Sequence, residues 1–264
     1  MQTRPARFLL LVLLLLVPFA SPPAALAVDR GLAIARAADA YDEGFSDYTA
    51  DLTMELRDRR GGSTRRSLRI RVLETPGDGD RSLFIFDSPA DVRGTLMLTH
   101  SHGSRSDDQW LYLPAIKRVK RIASRNKSGP FVGSEFAYED LGSQEPEKYD
   151  YRWLRDEGCG AWQCDVLERR PRNRASGYRR QVVWIDRDRY RVVKVEFYDR
   201  RDELLKTLTF SGYREYIGHY WRPARMRMQN HQTGKSTQLD LRNYRFGTGL
   251  RAADFEPGAL ARVR

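Results

Sequence analysis

The chain has 264 residues, of which 41% are apolar and 11% are aromatic, and its formal net charge is +11. This length suits one large domain or at most two small ones, and the apolar share is enough to bury a core. No run of like charges is long enough to form a disordered charged tail; RRPRNR, around residue 170, comes nearest.

The N-terminus has the three parts of a secretory signal peptide. Arg4 and Arg7 precede an apolar run at 8–17, and an Ala-x-Ala cleavage site follows at 25–27. The alternative, a transmembrane anchor, needs about 20 apolar residues, and prolines at 18, 22 and 23 interrupt the run before that length. We therefore expect residues 1–27 to be a cleaved signal peptide and residues 28–264 to form a single exported domain.

The net charge of the chain without its signal peptide indicates which kinds of partner it could bind. The signal peptide contains two arginines and no acid, so its removal reduces +11 to +9. In a cytosolic protein such a charge would indicate nucleic acid. An exported protein meets phospholipid headgroups, lipopolysaccharide and acidic proteins instead, so we expect no nucleic acid partner. A well-solvated, arginine-rich surface is the alternative explanation.

One helix and about a dozen strands are predicted in chain order. Asp29 is placed to cap a helix whose apolar positions keep helical spacing up to Phe45. From Tyr48 onward apolar and polar residues alternate. The predicted strands are 48–56, 68–72, 81–87, 94–100, 109–113, 148–154, 162–169, 178–185, 190–198, 203–213, 219–229 and 235–246. This pattern predicts a mainly β fold built on a large antiparallel sheet.

The only two cysteines, Cys159 and Cys164, lie in the segment GCGAWQC. A lone pair provides too few ligands for zinc, and no histidine lies nearby. In an oxidising compartment the pair is expected to form a disulfide that closes a small turn between two strands.

The usual catalytic motifs are absent from the sequence. Gly133-Ser134 is followed by Glu135 and not by the second glycine of a serine-hydrolase elbow, and there is no phosphate-binding glycine loop or zincin motif. His100 and His102 could begin a metal site, but a polar loop tip is the better interpretation. We therefore predict no catalytic residue, no metal and no cofactor.

The adjacent acids Glu139 and Asp140 could be mistaken for a catalytic pair. Neighbouring residues on a strand point to opposite faces, so a shared proton is not expected. We predict a solvated or capping role for both.

One block of the chain combines three motifs: a Phe-x-x-Pro…Arg-Gly segment, a Trp-x-Tyr-x-Pro strand and a Gly-Ser-x-Phe…Glu-Asp-Leu loop. Here these positions are Phe86, Pro89, Arg93, Gly94, Trp110, Tyr112, Pro114, Gly133, Ser134, Phe136, Glu139, Asp140 and Leu141. In this combination the chain resembles the LolA-like family of periplasmic outer-membrane lipoprotein-sorting proteins. The resemblance spans most of the mature chain.

The resemblance implies an incomplete, unclosed β-barrel with covering helices around an apolar cavity. It implies a periplasmic, non-catalytic carrier that shields the acyl chains of a lipoprotein or lipid between an inner-membrane transporter and an outer-membrane acceptor. Two alternatives stay open. The chain could be a non-carrier interaction or sensor module of the envelope on the same scaffold, or an accessory protein of an inner-membrane lipid exporter.

Three groups of site residues follow from the resemblance and the charge pattern. The resemblance places at Arg93 a gate arginine that would bond to a lid segment and hold the empty carrier closed. Lys117, Arg118, Lys120 and Arg121 form a cationic cluster expected to dock on an anionic membrane or a partner, unless they only keep a strand edge soluble. The expected lipid-binding lining, for which ordinary core packing is the alternative, is Phe84, Phe86, Trp110, Tyr112, Phe131, Phe136 and Tyr138.

Overall fold

The computed structural model describes residues 24–263, so the predicted signal peptide lies almost entirely outside the described residues. One α-helix, α1, spans Ala24–Asp42. The strands are β1 Asp47–Arg57, β2 Ser63–Leu73, β3 Arg81–Ser88, β4 Leu96–His100, β5 Asp108–Leu113, β6 Arg118–Arg121, β7 Tyr149–Cys159, β8 Trp162–Pro171, β9 Tyr178–Asp186, β10 Val192–Asp199, β11 Leu204–Ser211, β12 Arg214–Tyr216, β13 Tyr220–Arg222, β14 Arg225–Asn230 and β15 Ser236–Phe246. Short 3₁₀ helices occur at Pro114–Ile116, Ser124–Asn126, Phe131–Gly133, Tyr138–Leu141, Pro146–Lys148, Ala252–Phe255 and Pro257–Arg262.

Thirteen of the strands form one antiparallel sheet, in the order β6-β5-β4-β3-β2-β1-β15-β14-β11-β10-β9-β8-β7. The short pair β12–β13 stands apart. The end strands β6 and β7 do not pair with each other, so the sheet is not closed into a barrel. The predicted fold class, a large unclosed antiparallel sheet with few helices, is confirmed.

Alternating side chains give this sheet two apolar faces. Strand β3 shows both, because Phe84 and Phe86 pack into the large cluster on what we call the inner face. Leu83 and Ile85 pack into a smaller cluster on the outer face. A strand buried on both sides needs a cover on each side, and different parts of the chain supply the two covers.

Helix α1 covers part of the inner face. Ala35 is buried there, with Leu32 partly buried beside it. At Gly31 a Cβ atom would lie 2.8 Å from the backbone nitrogen of Trp153 in β7, so only glycine allows this approach. The prediction that the helix begins at Asp29 was wrong: it begins at Ala24, because residues 24–28 (AALAV) are mostly good helix formers.

A second cover on the inner face is a segment we call the plug, residues 122–148. It contains four short 3₁₀ helices and a single bridge between Pro130 and Ala137. Phe131 is 0% exposed and Phe136 is 2% exposed. The plug therefore inserts its aromatic side chains into the main core, although it is neither helix nor sheet over most of its length.

The C-terminal segment covers the outer face beside β3, β4 and β5. Phe255 and Leu260 are completely buried there against Leu83 and Leu98. His100 donates a hydrogen bond from Nε2 to the carbonyl of Phe255 at 2.7 Å. This places His100 in a structural contact with the C-terminus, and the predicted polar loop tip begins after it.

The predicted disulfide is confirmed. Cys159 and Cys164 are bonded, with their Cα atoms 5.9 Å apart. The bond joins the end of β7 to the following strand β8, in a hairpin where Cys159 lies opposite Trp162. It fixes this outermost hairpin of the sheet.

Within residues 24–263, no helix has the length and apolarity needed to span a membrane. In the same part of the chain, no group of three or more histidine, cysteine or acidic residues is arranged to hold a metal ion. His102 instead lies between two aspartates, with Nδ1 2.8 Å from Asp78 and Nε2 3.2 Å from Asp108.

Candidate functional site: the plugged inner face

Three phenylalanines form the centre of the inner face. The ring of Phe131 in the plug lies 5.8 Å from the ring of Phe84 and 5.6 Å from that of Phe86. Tyr138, also in the plug, meets Phe131 edge-on at 5.9 Å. These distances are typical of packed aromatic pairs. The structure therefore brings five of the seven expected lining residues together, since Phe136 belongs to the same cluster.

Trp110 and Tyr112 do not belong to this group. Both lie on β5 in phase with the outer face and pack on the cluster covered by the C-terminal segment. Trp110 meets His100 edge-on at 4.9 Å. The expectation that all seven aromatic residues line one cavity is corrected: strand alternation separates positions 110 and 112 from the inward residue Leu111.

Polar contacts at the margins of the plug hold it to the sheet, and Asp140 makes several of them. Its carboxylate accepts hydrogen bonds from Tyr178 (2.8 Å), from Lys206 (3.1 Å) and from the backbone N–H of Ala137 (2.7 Å). Burial, together with the nearby Asp140, raises the pKa of Tyr178 well above its ordinary value, so the phenol stays a donor. One carboxylate thus connects the plug to β9 and β11.

Glu139 anchors the neighbouring turn. It accepts hydrogen bonds from the Ser176 hydroxyl at 2.6 Å and from the Gly177 backbone at 2.9 Å. Burial raises its pKa above the ordinary value for glutamate. The predicted solvated or capping role of Glu139 and Asp140 was half right, because Asp140 does cap a turn but neither carboxylate is solvated. Asp140 faces β9 and β11, and Glu139 faces the turn just before β9. The sequence pattern could not place these segments beside the two acids.

The tip of the plug is held from three further strands. Arg66 in β2 donates from Nη1 to the carbonyl of Val132 at 2.5 Å. Asn230 donates to the Glu135 carboxylate at 2.7 Å, and Thr237 accepts from the Glu135 backbone N–H at 2.9 Å. These contacts involve β2, β14 and β15, so the plug tip spans the middle of the sheet.

Arg93 does not take part in this closure. It is exposed, and its Nε donates to the carbonyl of Asp87 at 3.1 Å, within the same turn of chain. The predicted gate role is corrected, because the Arg93 side chain bonds the carbonyl of Asp87 and not the plug. Arg66 makes the arginine-to-plug contact instead. A signal existed in the sequence: Arg66 is in phase with the inward residues Leu68, Ile70 and Val72.

Two lysines, one near each end of the plug segment, hold it in place. Lys127 donates to the Ser106 hydroxyl at 2.8 Å and also bonds the carbonyl of Asp107. Burial lowers the pKa of Lys127. Lys148 pairs with the Asp107 carboxylate at 2.7 Å. Both plug ends are thereby fixed to the loop before β5.

The best-formed cavities in the described part of the chain are polar. One, of about 320 Å³, lies between the plug tip and the ends of two hairpins, and includes Arg57, Glu135 and Lys235. The other, of about 280 Å³, includes Arg105, Arg121 and Lys127. The aromatic centre itself is occupied by the plug, so the inner face is closed by contact between side chains.

The four predicted docking residues lie together at one end of the sheet. All residues of β6 are exposed, as is Lys117, which adopts a left-handed conformation just before it. Arg121 pairs with the Asp108 carboxylate, which is held below its ordinary pKa by hydrogen bonds from Arg121, Arg105 and His102 that outweigh its burial. The structure therefore groups these cations on an edge strand, far from the aromatic centre in the sheet order.

Comparison with known proteins places this architecture among solved structures. A family model described as an uncharacterized protein matches residues 78–262. A protein domain from Vibrio parahaemolyticus assigned to outer membrane lipoprotein sorting is 54% identical with a TM-score of 0.87, covering 89% of this chain and 100% of that one. A DUF1329 family protein from Desulfovibrio piger is 32% identical with a TM-score of 0.83, covering 89% and 99%.

A LolA superfamily protein from Nitrosomonas europaea shares the fold at 20% identity, with a TM-score of 0.68 and coverage of 86% and 97%. No curated protein matches the chain in sequence.

Proposed function

We propose a carrier function from the premise that the chain belongs to the LolA-like family of outer-membrane lipoprotein-sorting proteins. In this proposal the protein works in the periplasm after cleavage of its signal peptide. It receives the acyl chains of a lipoprotein or lipid from an inner-membrane transporter and passes them to an outer-membrane acceptor. It performs no covalent chemistry and needs no cofactor.

The plug is the observation that supports this proposal best. It supplies Phe131 and Phe136 to the centre of an apolar face, yet its fastenings are polar contacts at the rim made by Arg66, Asp140 and Glu139. Displacing the plug would exchange these contacts for water and leave a continuous apolar face. Phe84, Phe86 and Met97 would then be available to an acyl chain. The structure would represent the empty, closed carrier.

The energetics fit a carrier that both loads and unloads. Each methylene that leaves water contributes about 0.8 kcal/mol, and a bilayer offers the chain nearly the same environment. An apolar face that must first release its own plug binds acyl chains less tightly than an open cavity would. Direction of transfer therefore comes from the transporter and the acceptor, and the plug keeps the empty protein soluble.

Uptake of a fluorescent fatty acid by detergent-free protein tests the proposal. We expect saturable uptake by the wild type. Arg66→Ala should speed uptake by at least about tenfold, because a hydrogen bond from a charged donor contributes roughly 1.5–3 kcal/mol to plug closure. The matched control is Arg65→Ala, since Arg65 is the exposed neighbour on the same strand. A wild type without saturable uptake would refute the carrier function.

A second candidate is favoured by the tight packing of the inner face. Phe86 and Phe131 are 1% and 0% exposed, as in an ordinary filled core. This would suit a non-carrier interaction or sensor module of the envelope, or an accessory protein of an inner-membrane lipid exporter. Native mass spectrometry separates the candidates: lipid that co-purifies without detergent indicates a carrier, and a lipid-free mass together with absent uptake indicates the module.

A further inference from the structure

Strand β6 is an open edge of the large sheet. It pairs with β5 alone, in a register that places Val119 opposite Tyr112 and Lys120 opposite Leu111. The opposite end strand, β7, has Gly31 of α1 packed against its backbone. The C-terminal segment Pro257–Arg262 lies near β6, but no backbone hydrogen bond joins the two in the described part of the chain.

The register identifies which backbone groups of β6 face outward. Ile122 donates its N–H to the carbonyl of Gln109 at 2.8 Å. In an antiparallel ladder, hydrogen-bonded pairs alternate with non-hydrogen-bonded pairs. The pairs at Lys120 and Arg118 are therefore bonded to β5, and those at Val119 and Arg121 are not. The N–H and C=O groups of Val119 and Arg121 point away from the sheet, without a backbone partner between residues 24 and 263.

Arg121 pairs with Asp108, but the other three cations of the cluster have no ion-pair partner in the described part of the chain. In this respect Lys117, Arg118 and Lys120 are unlike Arg69, Arg180 and Arg225 elsewhere in the sheet, which form ion pairs. Val119 is 39% exposed and Ile116, just before the strand, is 58% exposed. Cross-strand neighbours share a face, so Arg118 and Lys120 lie on the inner side and Val119 on the outer side.

We propose that β6 binds an extended, acidic segment of a partner protein, which adds to the sheet as a further strand. The segment would alternate acidic residues, facing Arg118 and Lys120, with apolar residues, facing Val119. Its backbone would pair with the outward N–H and C=O groups of Val119 and Arg121. This inference deepens the docking role of the cationic cluster and does not depend on the acyl-carrier function, because β6 contributes nothing to the aromatic centre.

Charge and backbone geometry together favour a peptide strand over a membrane surface. The cations alone would attract an anionic membrane. A membrane surface would not pair with the outward N–H and C=O groups of Val119 and Arg121, whereas a peptide strand would. The alternative is that a short, cationic edge strand serves only to prevent sheet-to-sheet aggregation. That alternative predicts no saturable binding of any strand.

The probe is a capped hexapeptide, acetyl-Val-Glu-Val-Glu-Val-Glu-amide, titrated into the full protein and followed by amide NMR. We expect saturable binding, with the amides of Val119 and Arg121 gaining protection from hydrogen exchange while the amide of Lys120, already bonded to β5, stays unchanged. A fully N-methylated peptide of the same sequence and charge should bind at least tenfold more weakly.

Variants separate backbone pairing from charge. Val119→Pro removes the outward N–H without breaking a hydrogen bond to β5 and should weaken binding about fivefold, whereas Val119→Ala, which keeps this N–H, should not. Replacing Arg118 and Lys120 with glutamine should weaken binding about tenfold, and raised salt should have a similar effect. Unchanged thermal midpoints would show that these variants fold.

Two results would overturn the proposal. Equal binding of the methylated and unmethylated peptides would mean that charge alone attracts the segment. If no peptide binds, while phosphatidylglycerol vesicles bind the wild type and Val119→Pro equally, the edge is a membrane dock or a protective edge. Neither result depends on fatty-acid uptake, so failure here is distinguishable from failure of the carrier proposal.

Discussion

Lys206 and Asp140 form a buried ion pair, with Nζ 3.1 Å from Oδ2 and side chains only 6% and 4% exposed. The lysine stands on β11 and the aspartate in the plug, so this pair joins the cover of the inner face to the sheet beneath it. Lys206 also donates to the Glu135 carbonyl at 2.9 Å. A single strand residue therefore reaches two separate turns of the plug.

The first prediction concerns this pair. Lys206→Met should lower the free energy of unfolding by roughly 3–5 kcal/mol, because it leaves a buried carboxylate without its counter-ion. Lys194→Met is the matched control: Lys194 pairs with Glu196 at 3.1 Å but is 31% exposed, so its loss should cost less than about 1 kcal/mol. Urea unfolding of both variants measures the difference. Equal costs would show that the buried pair does not hold the plug.

The second prediction compares Phe131, a plug residue on the inner face, with Trp110, a β5 residue on the outer face. Phe131→Ala should destabilise the protein by about 3–5 kcal/mol through the cavity it leaves, and it should change fatty-acid uptake. Trp110→Ala should leave uptake as in the wild type and increase hydrogen exchange in residues 252–262, which pack near Trp110. Uptake assays and exchange mass spectrometry check both. Loss of uptake in Trp110→Ala would contradict the assignment of Trp110 to the outer face.

The third prediction is a fall in stability from pH 5 to pH 8. Burial, with a further contribution from the carboxylate of Glu145, raises the pKa of Asp39 to about 7 and that of Asp80 to about 7. Between the ordinary carboxylate pKa and these values, the folded protein binds more protons than the unfolded chain. The free energy of unfolding therefore decreases as pH rises through this window.

Two variants test the origin of this slope. Asp39→Asn and Asp80→Asn cannot ionise, so each should flatten the decrease and the double variant should flatten it most. Asp78, whose pKa is lowered to about 2 mainly by its contacts with His102 and nearby backbone N–H groups, titrates below the window and should not contribute. Urea midpoints at four pH values give the result. A stability that increases from pH 5 to pH 8 would contradict the prediction.

The fourth prediction concerns the disulfide. It closes a loop between residues 159 and 164, for which loop-closure entropy gives about 2 kcal/mol of stabilisation. Replacing both cysteines with alanine should lower the free energy of unfolding by about this amount, and reductant should have the same effect on the wild type only. Alkylation followed by mass measurement should find two thiols after reduction and none before. A loss well above 2 kcal/mol would indicate that the hairpin supports more of the sheet than its own turn.

The strands themselves were largely predictable from the sequence. The run 48–56 corresponds to β1, where residues that alternate between a buried face and a more exposed face leave a period of two in the sequence. The run 178–185 corresponds to β9, which is buried on both faces over residues 181–186 and therefore appears as a short apolar run. The run 219–229 was predicted as one strand and is two, since Pro223 interrupts it between β13 and β14. Strand β6 was missed altogether, because RVKR is only four residues long and fully exposed, and only its pairing with β5 defines it.

The candidate site was only partly predictable. The resemblance drew attention to Phe131, Phe136 and Tyr138, and the structure places them in one cluster. Nothing local in the sequence shows that residues 122–148 turn back over the sheet, because that arrangement depends on contacts such as Lys206–Asp140, which are 66 residues apart. The sequence analysis also missed that Phe255 covers the outer face, because its contacts with Leu83 and Leu98 are likewise distant in sequence.

The position of β15 has a consequence for how the chain can fold. Its register with β1 pairs Leu52 with Leu241 in the middle of the sheet, so the two central strands come from opposite ends of the chain. Until residue 246 is available, β1 is paired only with β2 and β14 only with β11. Each then has one free backbone edge beside an apolar face, and such open edges are sites for aggregation. Contacts this distant in sequence also form slowly. In a nascent or truncated chain that ends before β15, the strands on either side of it would belong to two half-sheets that no strand yet joins.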